Sequence, residues 1–193
     1  MDPGSLPLGF QEALEFPLIA ALTGRRSRRF SLGASIPDGP LAYTSRHAPI
    51  PLTDLERMMV LTAVAGNTGW HYAITRNAHY APYFPNYSAA AGGRTFPSPA
   101  GFHVAEFFFT DDSGVYFFAT RDAPALVERN ADGALDYDQF LEAHRSRIRK
   151  LADGRLNLPP EEPYMEGHNT WCVNRPGTLL VIPVGDVAQT MIA

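Results

Sequence analysis

Only one cysteine, Cys172, occurs in the 193 residues, so the chain has no internal disulfide and no thiol pair for a structural zinc site. That scarcity points to an intracellular, reducing compartment. No apolar stretch approaches the roughly 20 residues that a membrane helix needs. The N-terminus, Met1-Asp2-Pro3-Gly4-Ser5-Leu6-Pro7, lacks the positive and apolar regions of a secretory leader. A soluble, cytoplasmic protein with no membrane partner is expected. Basic residues are also in the minority: 16 Lys and Arg stand against 20 Asp and Glu, for a formal net charge of −4, which argues against a general nucleic-acid binder. None of the six histidines falls in a metal-ligand pattern, so each is expected at the surface or in the core. What remains is a globular composition, 45% hydrophobic and 19% charged, sufficient for one domain over 1–193 with a core of its own.

Against that acidic background, the run Gly24-Arg25-Arg26-Ser27-Arg28-Arg29-Phe30 gathers four guanidinium groups and one hydroxyl. The stretch before it, Phe16-Pro17-Leu18-Ile19-Ala20-Ala21-Leu22, predicts a short helix with Pro17 at its first position and Gly24 at its end. The arginines therefore leave a helix end together. Planar, permanently charged donor forks with a serine hydroxyl suit a phosphate ester. A solvated basic face is the ordinary alternative for such a run.

Further along, residues 31–52 are rich in Pro, Gly and Ser and predict an extended loop. Thr53-Asp54-Leu55-Glu56 is a capping box, and Leu55, Met58, Met59 and Thr62 recur at helical spacing until Gly66. Residues 67–93 read as a long aromatic loop, with Trp70, Tyr72, Tyr80, Tyr83, Phe84 and Tyr87 set among Pro82 and Pro85. Long ordered loops are often functional. Small, turn-forming residues fill 92–102 and lead into a strand over 103–109. The turn Asp111-Asp112-Ser113-Gly114 then sends the chain back as a second strand over 115–118. Small residues ahead of a central strand let backbone amides approach a planar ligand, although a plain turn needs them equally. A polar helix is expected over 137–151, a strand over 178–183, and a new helix capped by Asp186.

This order of motifs resembles the FMN-dependent nitroreductase family: an Arg-Arg-Ser-x-Arg run after an N-terminal helix, a capped amphipathic helix, then a Pro-Ser-x-x-Gly segment entering a strand. More closely it resembles the dehydrogenases that oxidise azolines in thiazole/oxazole-modified peptides. Their Pro-Ser-Ala-Gly segment is matched by Pro97-Ser98-Pro99-Ala100-Gly101 with one inserted residue. The likeness covers residues 15–120 and, more loosely, 176–193. It implies an α+β fold, with a central antiparallel or mixed sheet flanked by helices, and a homodimer holding FMN between its chains. Arg25, Arg26, Ser27 and Arg29 would serve the cofactor from one subunit, Arg25 and Ser27 on the phosphate and Arg29 toward the pyrimidine edge. Pro97, Ser98, Pro99 and Gly101 would approach it from the other. The resemblance implies hydride exchange with a small-molecule or modified-peptide substrate, with no catalytic side chain assigned. This sequence departs from the pattern where Pro99 removes a backbone amide. It also stops about two turns into a helix that is long in the family, which predicts an incomplete C-terminal end.

Two other readings compete. Glu128 through Phe140 resembles a calcium-binding EF-hand loop, with Gly133 at the sharp turn, but Glu128 replaces the usual first Asp and Gln139 stands where a bidentate Glu should be. An acidic turn capping the next helix explains the same residues. The other reading is a nitroreductase-like fold that binds or scaffolds without redox activity.

Overall fold

A computed structural model of the protein describes residues 8–24, 32–70, 92–97, 105–120 and 131–185. Two short helices come first, α1 (Leu8–Glu15) and α2 (Leu18–Gly24), followed by a two-residue ladder of β1 (Ser35–Ile36) with β2 (Tyr43–Thr44). Helix α3 (Asp54–Ala65) leads into β3 (Asn67–Trp70), which pairs antiparallel with β4 (Gly92–Arg94). The main sheet contains β5 (Ala105–Asp111), β6 (Gly114–Phe118), β7 (Ile148–Asp153) and β8 (Leu180–Gly185), in the order β7-β6-β5-β8 and antiparallel throughout. Helix α4 (Tyr137–Arg145) lies between β6 and β7 in the chain, and a 3₁₀ turn (Gly167–Trp171) precedes β8. The fold class is α+β.

The period-two alternation of β5 decides which face is covered. Phe107 and Phe109 are buried, and their register partners Phe118 and Tyr116 share that face. Phe109 and Tyr116 stack with centroids 4.7 Å apart. Against this face α3 sets Met58, Leu61 and Ala65, and α4 sets Leu141, completing one apolar core. Each large side chain so buried contributes about 1.5–3 kcal/mol. The opposite face carries Phe108 and Phe117, half-buried and 5.1 Å apart, with the Arg149 guanidinium over the Phe117 ring.

The capping box forms as the sequence predicts: Thr53 Oγ1 accepts from Glu56 N–H, and the Glu56 carboxylate accepts from Thr53 N–H. Four expectations are corrected. Pro17 precedes α2, because its carbonyl already accepts the first helical bond, from Ala21 N–H at 2.9 Å, which makes it the N-cap. The ends of the aromatic loop are paired strands, β3 and β4; residues 71–91 lie outside the described residues. The helix expected over 137–151 stops at Arg145, and Ile148 onward forms β7, since pairing Ile148 with Phe118 gives β6 a second neighbour and adds Ile148 to the core. Strand β5 runs two residues further than expected, to Asp111, and β8 is shifted by two from the expected 178–183, to Leu180–Gly185, where its pairing with β5 begins at Thr110–Leu180. The helix expected after Asp186 lies outside the described residues.

Candidate functional site

The expected cofactor residues Arg25, Arg26, Ser27 and Arg29, together with Ser98, Pro99 and Gly101, lie outside the described residues; Pro97 is described and exposed. The elements that deliver both segments are visible. Helix α2 has no buried side chain, and Leu18 and Ile19 are each 70% exposed, so it carries the chain toward the arginine run along the surface. Pro97 follows an anchored stretch. Thr95 Oγ1 donates to the Thr62 carbonyl and accepts from Gly66 N–H, both at 3.0 Å, while Thr95 N–H donates to the Gly66 carbonyl at 3.1 Å. Phe96 meets Phe107 edge-on with centroids 5.1 Å apart. The two residues just before the Pro-Ser-Pro-Ala-Gly segment are therefore held against the end of α3 and the central strand.

The same region holds a buried polar centre. Asn67, at the head of β3, and His144, in the last turn of α4, are both fully buried. His144 Nε2 accepts from Asn67 N–H at 2.8 Å, and the other ring nitrogen, 2.7 Å from the Phe140 carbonyl, must then carry the proton. The ring is neutral in this arrangement. Burial drives its pKa below the ordinary histidine value, the bond to Phe140 opposes that, and the positive charge of Arg147 adds to it. Asn67 Nδ2 donates to the Thr120 carbonyl at 2.7 Å, and Thr120 N–H donates to Glu106 Oε2 at 3.1 Å. One chain of hydrogen bonds thus joins α4, β3, the end of β6 and β5.

A second polar cluster surrounds a cleft of about 150 Å³ at the β5–β6 turn, lined in part by Pro51, Leu52, Arg57, Ser113 and Leu179. Arg57 bridges Asp54 of its own helix at 2.7 Å and Asp111 at 2.9 Å, and Arg145 of α4 joins Asp54 at 2.7 Å. Asp112 receives Arg155 through one oxygen and Gly177 N–H through the other. Burial opposes ionisation of Asp111, yet hydrogen bonds from Ser113 and Arg57 outweigh it and hold the carboxyl below its usual range. Arg155 and Gly177 hold Asp112 low in the same way. Every carboxylate at the cleft is engaged by its own fold, so the cluster joins elements and presents no carboxylate for acid–base work.

In the acidic loop, Gly133 adopts φ +83°, Asp132 Oδ1 accepts from Ala134 N–H, and Asp136 Oδ1 accepts from Gln139 N–H at the start of α4. These carboxylates serve the turn and the cap. Among the described residues, no group of three or more His, Cys, Asp and Glu side chains could hold a metal ion. Nor is any helix among them long and apolar enough to cross a membrane.

Neither the known family models, nor the curated proteins, nor the solved structures contain a match to this chain. Sequence reasoning missed Asn67, Thr95 and the pairing of Arg57 with Asp111, whose partners lie 77, 33 and 54 positions away. A signal existed for His144: it falls next to a helical turn from Phe140 and Leu141, on the apolar stripe of α4.

Proposed function

We propose that this chain is an FMN-dependent oxidoreductase of the nitroreductase type, acting on a small-molecule or modified-peptide substrate. The observation that carries the reading is the donor set at residues 25–29, four guanidinium groups and one hydroxyl of a kind that fits a phosphate monoester, directly after the exposed end of α2. Supporting it are the capped helix α3 and a small-residue segment that starts from an anchored Thr95 and leads to the central strand β5. Arg25 and Ser27 hold the phosphate, with Arg26 beside them in the cofactor site. Arg29 stands at the pyrimidine edge, where a fixed cation favours a reduced, anionic ring. Pro97, Ser98, Pro99 and Gly101 come from the second subunit of a homodimer, with Pro99 contributing shape in place of an amide.

Bound there, FMN supplies hydride transfer at N5. The chain itself orients the ring, screens it from water, and selects what enters through the aromatic residues of 71–91. Replacing Arg25 by Ala tests the phosphate role. FMN binding should weaken by about 1.5–3 kcal/mol, the value of a charge-assisted hydrogen bond, while riboflavin binding stays unchanged. Equal losses for the two ligands, or no loss for either, would remove Arg25 from the site.

A further inference from the structure

The hairpin of β3 and β4 is a sheet of its own, and two groups of hydrogen bonds help tie its base to the rest of the described protein. One is the Thr62–Gly66–Thr95 group at the end of α3, which contains no titratable side chain. The other is Asn67, through His144 and Thr120. We infer that His144 is a pH-dependent latch that closes this hairpin onto α4 when neutral and releases it when protonated.

The geometry gives the reason. With Nδ1–H committed to the Phe140 carbonyl, only the unprotonated Nε2 can accept from Asn67 N–H. A proton on Nε2 would set two donors against each other between two fully buried residues. A second arrangement is available on the same residue, since Asn67 Oδ1 is buried and has no hydrogen-bond partner among the described residues. A protonated ring can donate to that oxygen once the backbone of β3 has moved. The groups around the ring set the direction of the response. Phe140 of α4 and Phe118 of β6 pack against it with centroids 4.3 and 6.1 Å away, and neither is charged. From the α4–β7 connection Arg147 disfavours a second positive charge. On β5, Glu106 is linked through Thr120 and Asn67, while Glu142 and Arg145 of α4 pair with each other at the surface. Closed, the latch therefore keeps the ring neutral; open, the ring takes a proton.

The functional consequence rests on the flavin reading, because β4 leads through Thr95 to the Pro97–Gly101 segment assigned to the cofactor. The latch itself does not, and amide hydrogen exchange on the flavin-free protein separates the two. A histidine that titrates only in the open form, with an ordinary pKa of about 6.5, raises the opening equilibrium about tenfold between roughly pH 7.5 and 5.5. After correction for intrinsic exchange chemistry, the amides of Asn67–Trp70 and Gly92–Arg94 should lose that factor of protection, and those of β5 and β6 should not. The His144→Gln variant should lose this pH dependence. Should it fail to fold, NMR titration of the His144 ring in the unaltered protein serves instead, with its midpoint expected to follow hairpin opening. Hairpin protection independent of pH, a loss spread evenly over the main sheet, or opening without His144 titration would each overturn the latch while leaving the flavin proposal intact.

Discussion

At the residue scale, the described protein uses its charges to tie elements together. Asp111 illustrates this, with one oxygen bonded to Ser113 N–H and the other to Arg57 of α3. Replacing Asp111 by Ala leaves a half-buried guanidinium and a turn amide without their acceptor, and should cost about 1–3 kcal/mol of stability in a urea titration. The acid response has a definite sign. Asp54, Asp111 and Asp112 are all held below the usual carboxylate range, so their contribution is complete above about pH 4 and is lost as pH falls through their lower folded values. Asp111→Ala should therefore flatten the stability profile below about pH 4; an unchanged profile would mean that the pair with Arg57 contributes nothing. His144 acts in a higher range. Its pKa is lowered on folding, so its stabilisation is complete above about 6.5 and declines as pH drops below that.

At the element scale, legibility followed the range of the interactions. Helix α3 could be read closely from sequence, because its cap and its apolar stripe lie within four residues of each other. The β5–β6 hairpin was readable for the same reason, its turn residues standing between two aromatic runs. Strand β7 was not, since Ile148–Asp153 carries three charged residues on an edge strand and only its pairing with β6 makes it extended. The candidate site divides similarly. The arginine run and the Pro-Ser-Pro-Ala-Gly segment stand out as local motifs, while the Asn67–His144 centre depends on residues 77 positions apart. Gly66 shows how tightly α3 is joined to β3: a Cβ built there would lie 2.2 Å from the Thr62 carbonyl oxygen. Gly66→Ala must shift the backbone at that junction, and by the usual cost of overpacking should destabilise by about 1–3 kcal/mol, read from the urea midpoint. A cost near zero would show that the junction yields freely.

For the whole molecule, the four-stranded sheet carries α3 and α4 on one face, and the described chain leads toward the two proposed cofactor segments from two separate points. One is reached along the exposed α2; the other leaves the anchored Thr95. The proposal assigns these segments to opposite subunits, so flavin binding and dimerisation should be a single event. Size-exclusion chromatography of the purified protein with FMN added, following protein and flavin absorbance together, tests that claim most directly. The account predicts flavin absorbance that co-elutes with a species of two chains and is absent from any monomer. A colourless protein that takes up no FMN in any oligomeric state would contradict it, leaving the fold to a binding or scaffolding role.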